Sequence, residues 1–158
     1  MTTDSPEKNP DQSGAARQVL SKEDALRAYA WMMNTLDASR LEPLLAEDFH
    51  YASQWVFSEI TSKADYLVYI MPKLEAIRSS GAEVWAEMGV LERELPGPCV
   101  VMAQGDKDNL LAVVLATVEN GKIKRLDMCG APPPFSALRK GDYPGRRISD
   151  TDGKRRPV

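Results

Sequence analysis

The residues from Leu44 to Ile60, LLAEDFHYASQWVFSEI, combine side chains that acid–base chemistry uses. His50 is the only histidine of the chain, and the carboxylates of Glu47 and Asp48 closely precede it. A histidine near a carboxylate can move a proton close to neutral pH. The stretch also fits a helix end that leads into a strand, with the two carboxylates on the surface and His50 as a hydrogen-bonded structural group.

The elements that must position these residues belong to one domain of ordinary composition. The chain has 158 residues, of which 43% are hydrophobic and 27% charged. No apolar run approaches the roughly 18 residues that a membrane span needs. The N-terminal residues lack the basic start and apolar segment of a signal peptide. We therefore expect a cytoplasmic protein without a membrane partner.

Charge is unevenly distributed along the chain, whose formal net charge is −3. Residues 131–158 carry seven Lys and Arg against three Asp and Glu, so the remainder is acidic. An acidic domain argues against a nucleic-acid partner, and we expect the basic end to be a solvated tail. Cys99 and Cys129 lack the spacing of a metal site. We expect two free thiols, no metal and no cofactor.

Helical periodicity dominates the first half of the chain. Residues 21–40 predict an amphipathic helix that begins with a capping box of Ser21 and Asp24. A short second helix, LEPLLAED, and a short strand, FHYAS, follow. A third helix, SKADYLVYIMPKLEAIRSS, contains Pro72, where we expect a kink or break. Gly81 follows the last turn of this helix.

Alternation with a period of two replaces the helical period after Gly81. Four segments predict a meander of antiparallel strands, and Asn120-Gly121 marks a tight hairpin between the last two. These segments are AEVWAEMGVLE, PCVVMAQGD, NLLAVVLATV and KIKRLDMC. Helices followed by strands indicate an α+β fold with helices packed on one face of a curved sheet.

The ordered set of these segments resembles the nuclear transport factor two-like superfamily, which includes SnoaL-like polyketide cyclases and ketosteroid isomerases. The resemblance covers about residues 21–130, and its carriers are LDASRLEPLLAEDFHYAS, the helix after ITSK, and VENGKIKRLDM. It implies a cone-shaped, cystatin-like sheet wrapped around a long helix, with two or three N-terminal helices. We divide the chain into a disordered segment 1–20, this domain over 21–133, and a flexible basic tail over 134–158. The alternative is that Phe135, Leu138 and Tyr143 dock the start of this tail on the sheet edge, in which case the domain extends further.

The resemblance does not supply a catalytic set. Aligned with the ketosteroid isomerases, Tyr29 matches the catalytic tyrosine, but Ser53 replaces the carboxylate base and Val113 replaces the protonated aspartate. A serine hydroxyl cannot remove a carbon-bound proton without a base beside it, so we reject steroid-isomerase chemistry. Arg125 and Asp127 share a strand face that the same alignment turns away from the pocket, where an ion pair is expected.

What the resemblance implies instead is an apolar pocket inside the cone. We predict that its main ligand-binding residues are Tyr29, Met33, Ser53, Trp55, Tyr66, Ile70, Val113, Leu115 and Met128. Val84, Ala86, Leu111 and Leu126 complete the expected lining. Such a lining suits a small lipophilic or aromatic molecule, although the same residues could also simply close the core.

Three functions follow from this interpretation. The first is a non-catalytic protein of the SnoaL-like type that binds a small apolar molecule. The second is a small lyase, isomerase, dehydratase or cyclase that uses Tyr29 with His50 or Asp127. The third is a homodimeric scaffold without a ligand. We expect a homodimer because Trp85 would lie on the outer sheet face, where an exposed tryptophan usually marks a contact.

Overall fold

The computed structural model describes residues 19–55, 58–93 and 95–147. The chain forms two helices and six strands, with short 3-10 turns at Glu42–Leu44 and Pro134–Ser136. In chain order these are α1 (Lys22–Thr35), β1 (Leu45–Ser53), α2 (Lys63–Ser80), β2 (Val84–Leu91), β3 (Gly97–Gln104), β4 (Leu110–Glu119), β5 (Lys122–Cys129) and β6 (Leu138–Asp142). The predicted α+β class is confirmed.

The six strands form one open, curved sheet in the order β1-β5-β4-β3-β2-β6. Strands β2 to β5 are the predicted antiparallel meander. The tight hairpin between β4 and β5 places Asn120 and Gly121 at φ values of 52° and 76°, which Asn-Gly tolerates. The sheet is mixed, because β1 pairs in parallel with β5.

Both helices begin as the sequence predicts. Ser21 and Asp24 form a reciprocal capping box on α1, and the Ser62 hydroxyl accepts a hydrogen bond from the Asp65 amide at the start of α2. The expected break at Pro72 is wrong, because α2 is one helix from Lys63 to Ser80, whereas a kink within that helix stays a prediction. Proline removes the amide partner of the carbonyl four residues earlier, and that residue, Val68, lies on the exposed side of α2.

The predicted second helix, LEPLLAED, is also wrong. Only Glu42–Leu44 form a helical turn, of the 3-10 type, and β1 already begins at Leu45. Pro43 fits the first turn of a helix because its missing amide is not needed there. A strand forms here instead of a helix, with Leu45 and Phe49 buried in the core and Glu47 and Asp48 exposed.

The two faces of the sheet are covered by different parts of the chain. The inner face packs against α1 and α2 and contributes the larger core cluster, including Phe49, Met88, Met102 and Leu126. The outer face carries a smaller cluster that centres on the buried residues Leu91, Cys99, Val101, Val113 and Ala137. Ala137 belongs to the chain after β5, so the outer face is covered by the C-terminal segment rather than by a helix.

This C-terminal segment corrects the predicted domain boundary at residue 133. After β5, residues 130–137 reach across the outer face, and β6 then pairs with the free edge of β2. The sheet therefore continues into the segment 134–158 that was predicted to be a flexible tail, as far as Asp142. The rest of the predicted tail, residues 148–158, and residues 1–18 lie outside the described residues.

Buried polar contacts hold the C-terminal segment in place. Glu87 on β2 is 3% exposed, and it accepts hydrogen bonds from Arg139 Nε and from the Gly141 amide, each at 2.7 Å. Asn34 on α1 bonds both backbone groups of Ala86 at 2.8 Å and also donates to the Pro144 carbonyl at 2.8 Å. These side chains, distant in sequence, join α1, β2 and the segment after β6.

Trp85 lies on the outer face, as predicted, but it is not exposed. The Tyr143 ring packs edge-on against the Trp85 ring at 5.7 Å, and the Arg146 guanidinium covers it at 3.7 Å. The chain itself thus covers the tryptophan whose exposure led us to expect a dimer. The homodimer stays a prediction, without this reason for it.

Within the described residues, neither helix is long and apolar enough to cross a membrane.

Candidate functional site

Four tyrosines from three elements converge inside the fold. Tyr29 comes from α1, Tyr51 from β1, and Tyr66 and Tyr69 from α2, where a spacing of three places both on one helix face. The Tyr66 ring centroid lies 5.3 Å from that of Tyr51 and 6.1 Å from that of Tyr69. Phe49 packs edge-on against Tyr66 at 4.9 Å. We call Phe49 and the four tyrosines the tyrosine cluster.

Burial changes across the tyrosine cluster. Tyr29, Tyr51 and Tyr66 are buried in the larger core, whereas Tyr69 is half-buried and carries the Lys73 ammonium 5.6 Å above its ring. The cluster therefore forms one side of the core, and it reaches the protein surface at Tyr69. Tyr51, Tyr69 and Phe49 were not among the predicted ligand-binding residues. The spacing of Tyr66 and Tyr69 was the sequence signal that could have included Tyr69.

The hydroxyl groups of the cluster are unequally satisfied. The Tyr51 hydroxyl contacts Met128 Sδ at 4.0 Å, a weak hydrogen bond. The Tyr66 hydroxyl is buried and has no hydrogen-bond partner among the described residues. Leaving a buried polar group unpaired costs about 1–3 kcal/mol. An added hydrogen-bonding atom beside Tyr66 would therefore stabilise the protein. The other buried side-chain atom without a partner among the described residues is Trp85 Nε1, on the outer face of the sheet.

Burial also fixes the protonation of the cluster. Loss of solvation raises the pKa of Tyr29, Tyr51 and Tyr66 well above the ordinary value, and the neighbouring phenols raise the pKa of each further. All three phenols are thus protonated at neutral pH. They can donate or accept hydrogen bonds, but they cannot act as bases there. The one buried charged side chain among the described residues is Glu87, which faces Arg139 on the other side of the sheet.

Several predicted lining residues do meet in this core. Tyr29, Met33, Tyr66, Ile70, Ala86 and Leu126 are buried in it, and Val84 and Met128 pack against it. Their burial is nearly complete, so these side chains contact one another directly. Five concave regions of the described surface, of about 350–480 Å³, lie elsewhere, and none is lined by a residue of the tyrosine cluster.

Val113 and Leu115 contradict the predicted lining, because they belong to the outer face. Counting from the Asn120-Gly121 hairpin without a gap would set Leu115 opposite Leu126, on the inner face. The register shifts by one residue at Lys124, and Ala116 pairs with Leu126 instead. A one-residue bulge exchanges the faces of every later residue, so Val114 and Ala116 point inward.

Three other predicted lining residues lie at the surface or its edge. Trp55 is 55% exposed and Leu111 is 45% exposed. Ser53 is half-buried at the end of β1, and its hydroxyl accepts a hydrogen bond from the Trp55 amide at 3.1 Å. Trp55 and Leu111 thus lie outside the buried core that contains Tyr29 and Tyr66.

His50 and Asp127 lie in a charged network on the outer face. His50 Nδ1 is 2.5 Å from a Glu59 carboxylate oxygen, and Arg125 Nη1 donates to the same carboxylate at 2.7 Å. Arg125 Nε also donates to Asp127 at 3.0 Å, the ion pair expected from the sequence. Arg125 lowers the pKa of Glu59 most, followed by His50. The sheet separates this network from Tyr29, so the three candidate catalytic residues are not brought together.

The remaining sequence candidates have structural environments. Asp48 pairs with Lys124 on the surface, and that hydrogen bond lowers its pKa. Burial raises the pKa of Cys99 to about 11 and also raises the pKa of Cys129. The described residues contain no group of three or more His, Cys, Asp and Glu side chains placed to hold a metal ion.

Comparisons with known proteins identify the architecture. No protein-family model matches the chain. No curated protein matches it by similarity search. The crystal structure of an NTF2-like protein of unknown function from Cytophaga hutchinsonii ATCC 33406 matches with a TM-score of 0.50 at 13% identity, over 73% of this chain and 96% of that one.

Two further solved structures carry functional names. A candidate polyketide cyclase from Pseudomonas putida KT2440 matches with a TM-score of 0.48 at 16% identity, over 73% of this chain and 96% of that one. A candidate ketosteroid isomerase from Kribbella flavida DSM 17836 matches with a TM-score of 0.48 at 22% identity, over 68% of this chain and 75% of that one. The likeness to the NTF2-like protein of Cytophaga hutchinsonii, at 13% identity, concerns the fold and not the reaction. The chain has the nuclear transport factor two-like fold.

Proposed function

We propose that this protein binds a small lipophilic or aromatic molecule at the tyrosine cluster and does not transform it. The observation that supports this proposal is the Tyr66 hydroxyl, which is buried without a partner among the described residues. A ligand oxygen beside Tyr66 would supply the missing hydrogen bond, and the aromatic rings would contact its apolar body.

The chemistry of the site supports binding over catalysis. The phenols at the cluster stay protonated because burial raises the pKa of Tyr29, Tyr51 and Tyr66. A ligand bound in this core would be neutral, because burying a charge without a partner is costly. Tyr69 is half-buried, so a ligand would reach Tyr66 from the side of the cluster where Tyr69 lies.

A second candidate, a scaffold without a ligand, is favoured by the burial of Tyr29, Met33, Ile70 and Leu126. These side chains contact one another, so a ligand would have to separate rings that pack together. That separation would weaken the packing of the core. The two candidates differ in whether a compound stays with the folded protein.

Mass spectrometry of the protein purified under native conditions separates the two candidates. We expect a small apolar compound to be released on denaturation, and the absence of any such compound would favour the scaffold. Calorimetric titration with the released compound then tests Tyr66→Phe, which should weaken binding roughly tenfold, about 1.4 kcal/mol.

Tyr143→Phe is the matched control, because Tyr143 contacts Trp85 and Arg139 on the outer face. It removes the same hydroxyl group from the other side of the sheet and should leave affinity unchanged. Equal affinities for the parent protein and Tyr66→Phe would contradict a role of the Tyr66 hydroxyl in recognition.

A further inference from the structure

One concave region, which no residue of the tyrosine cluster lines, combines an indole ring with two guanidinium groups. It lies between α1, the turn that precedes β1, and the end of the C-terminal segment, and its volume is about 440 Å³. We call it the Trp31 groove. Its lining consists of Arg27, Ala28, Trp31, Arg40, Leu44, Pro144 and Gly145.

The Trp31 side of the groove is built by close packing. Gly145 adopts a φ of 86°, and a Cβ atom added there would lie 2.6 Å from Thr35 Cγ2 and 2.9 Å from Trp31 Cδ1. Only glycine lets the C-terminal segment approach Trp31 so closely. Asn34 holds the neighbouring Pro144 carbonyl at 2.8 Å, so the wall opposite α1 is fixed in position.

Arg40 supplies a cation for which the described residues provide no ion-pair partner. Its guanidinium carbon lies 4.1 Å from the centre of the Trp31 ring, a cation–π contact that orients the planar group. The described residues provide no carboxylate within ion-pair distance of Arg40. The hydrogen bonds among the described side chains use no N–H donor of Arg40, so this guanidinium can bind a carboxylate.

The second cation is already engaged. Arg27 pairs with Asp142 of β6 and lies 3.9 Å from Glu23. Arg27 thus contributes to fixing the groove, whereas Arg40 is the group able to bind a further anion. Ala28, Leu44 and Pro144 add apolar surface beside it.

We propose that the Trp31 groove binds a small organic carboxylate with an aromatic or other apolar body. The carboxylate lies at the edge of the Arg40 guanidinium, and the apolar body lies along Ala28, Leu44 and Pro144. The groove has the volume of a small-molecule site, and the combination of apolar walls with one oriented cation selects for both parts of such a ligand. This site is independent of the tyrosine cluster.

Nuclear magnetic resonance of the full-length, ¹⁵N-labelled protein tests the proposal, with benzoate as the probe. The chain has three tryptophans, Trp31, Trp55 and Trp85, so its side-chain indole N–H signals are few, and Trp31→Phe identifies the one from the groove. We expect benzoate to move the Trp31 signal saturably while the Trp85 signal stays in place. Benzyl alcohol, which lacks the charge, and acetate, which lacks the ring, should each bind at least tenfold more weakly.

Arg40→Gln should weaken benzoate binding at least tenfold, because it removes the cation from an exposed position. Arg93→Gln is the matched control, since Arg93 is exposed after the end of β2 and does not line the Trp31 groove, and it should leave the affinity unchanged. An unshifted Trp85 signal in Arg40→Gln verifies that the variant is folded. Equal affinities for benzoate and benzyl alcohol, or an unchanged affinity in Arg40→Gln, would overturn the proposal.

Discussion

The two faces of the sheet are stabilised by different chemistry. On the inner face, α1 and α2 bury aromatic and aliphatic side chains around Tyr66, and the polar atoms there are chiefly hydroxyl groups. On the outer face, the C-terminal segment is attached through the buried carboxylate of Glu87, which accepts hydrogen bonds from Arg139 and the Gly141 amide. Each face holds one buried polar atom without a partner among the described residues, the Tyr66 hydroxyl on the inner face and Trp85 Nε1 on the outer face. The outer face differs because it also holds a buried charge, and that charge is paired.

This difference shows where the protein can accommodate a ligand and where it cannot. The Glu87 ion pair holds the C-terminal segment, and disturbing it would leave an uncompensated buried charge. An unpaired hydroxyl gains from any suitable partner. On the outer face, Arg146 and Tyr143 cover the ring of Trp85. We therefore regard the outer face around Glu87 as structural, and on the inner face we expect binding at the tyrosine cluster.

Removal of the Glu87 carboxylate should have the largest effect. Glu87→Ala leaves Arg139 without its nearest buried partner and the Gly141 amide without an acceptor, so we expect a loss of about 3 kcal/mol in the free energy of unfolding. Urea denaturation of the variant and the parent measures it. Hydrogen exchange should show β6 losing protection while Tyr66 and its neighbours on α2 keep theirs.

Glu83→Ala is the control for this prediction. Its side chain is 55% exposed and pairs with Arg146 at 3.3 Å, so its removal should change the stability little. Similar destabilisation by both variants would mean that the buried Glu87 contacts do not attach the C-terminal segment more strongly than a surface ion pair does.

The same contrast explains how much the sequence predicts. Apolar periodicity predicts α1, α2 and the meander, because the inner core depends on side chains that recur at a fixed spacing. The bulge at Lys124 leaves no periodic signal in the sequence. The prediction therefore placed Val113 and Leu115 on the inner face of the sheet, whereas they lie on the outer face. The polar contacts that attach β6 and the segment after it also escape prediction, because Asn34, Glu87 and Arg139 are far apart in sequence and each is an ordinary polar residue when taken alone.

The candidate site was predicted in part for the same reason. Tyr29 and Tyr66 are found together because helix periodicity places them on buried faces. His50 on β1 and Asp127 on β5 both belong to the outer network, because successive residues of each strand point to opposite faces of the sheet. Convergence of phenols from three elements depends on tertiary packing, which no local pattern contains.

Tyr66→Phe should have a smaller effect than Glu87→Ala, and of the opposite sign. It removes a hydroxyl that has no partner among the described residues, so we expect the ligand-free protein to gain up to about 1 kcal/mol of stability at pH 7. Tyr51→Phe is the control, because its hydroxyl contacts Met128, and it should not stabilise the protein. A loss of stability in Tyr66→Phe would show that the hydroxyl is satisfied in solution.

The pH dependence of this variant follows from the same burial. Because the pKa of Tyr66 is raised in the folded state, the contribution of the protonated phenol is complete below the ordinary tyrosine pKa of 10.0 and is lost as the pH rises above it. Tyr66→Phe should therefore lose less stability than the parent between pH 9 and about pH 11. Parallel alkaline curves for the two proteins would contradict the raised pKa of Tyr66.

The smallest expected effect is in acid and belongs to the outer face. Arg125 and His50 lower the pKa of Glu59, so its favourable contribution is present above the ordinary value of 4.5 and is lost as the pH falls through the lower folded value. Glu59→Gln cannot titrate and should flatten the acid limb of the stability curve slightly, because the pair is exposed and screened by salt. Urea denaturation between pH 6 and about pH 3 measures this change, and Tyr66→Phe should follow the parent throughout that range. If Tyr66→Phe rather than Glu59→Gln altered the acid limb, the assignment of acid titration to the outer face and alkaline titration to the inner face would be wrong.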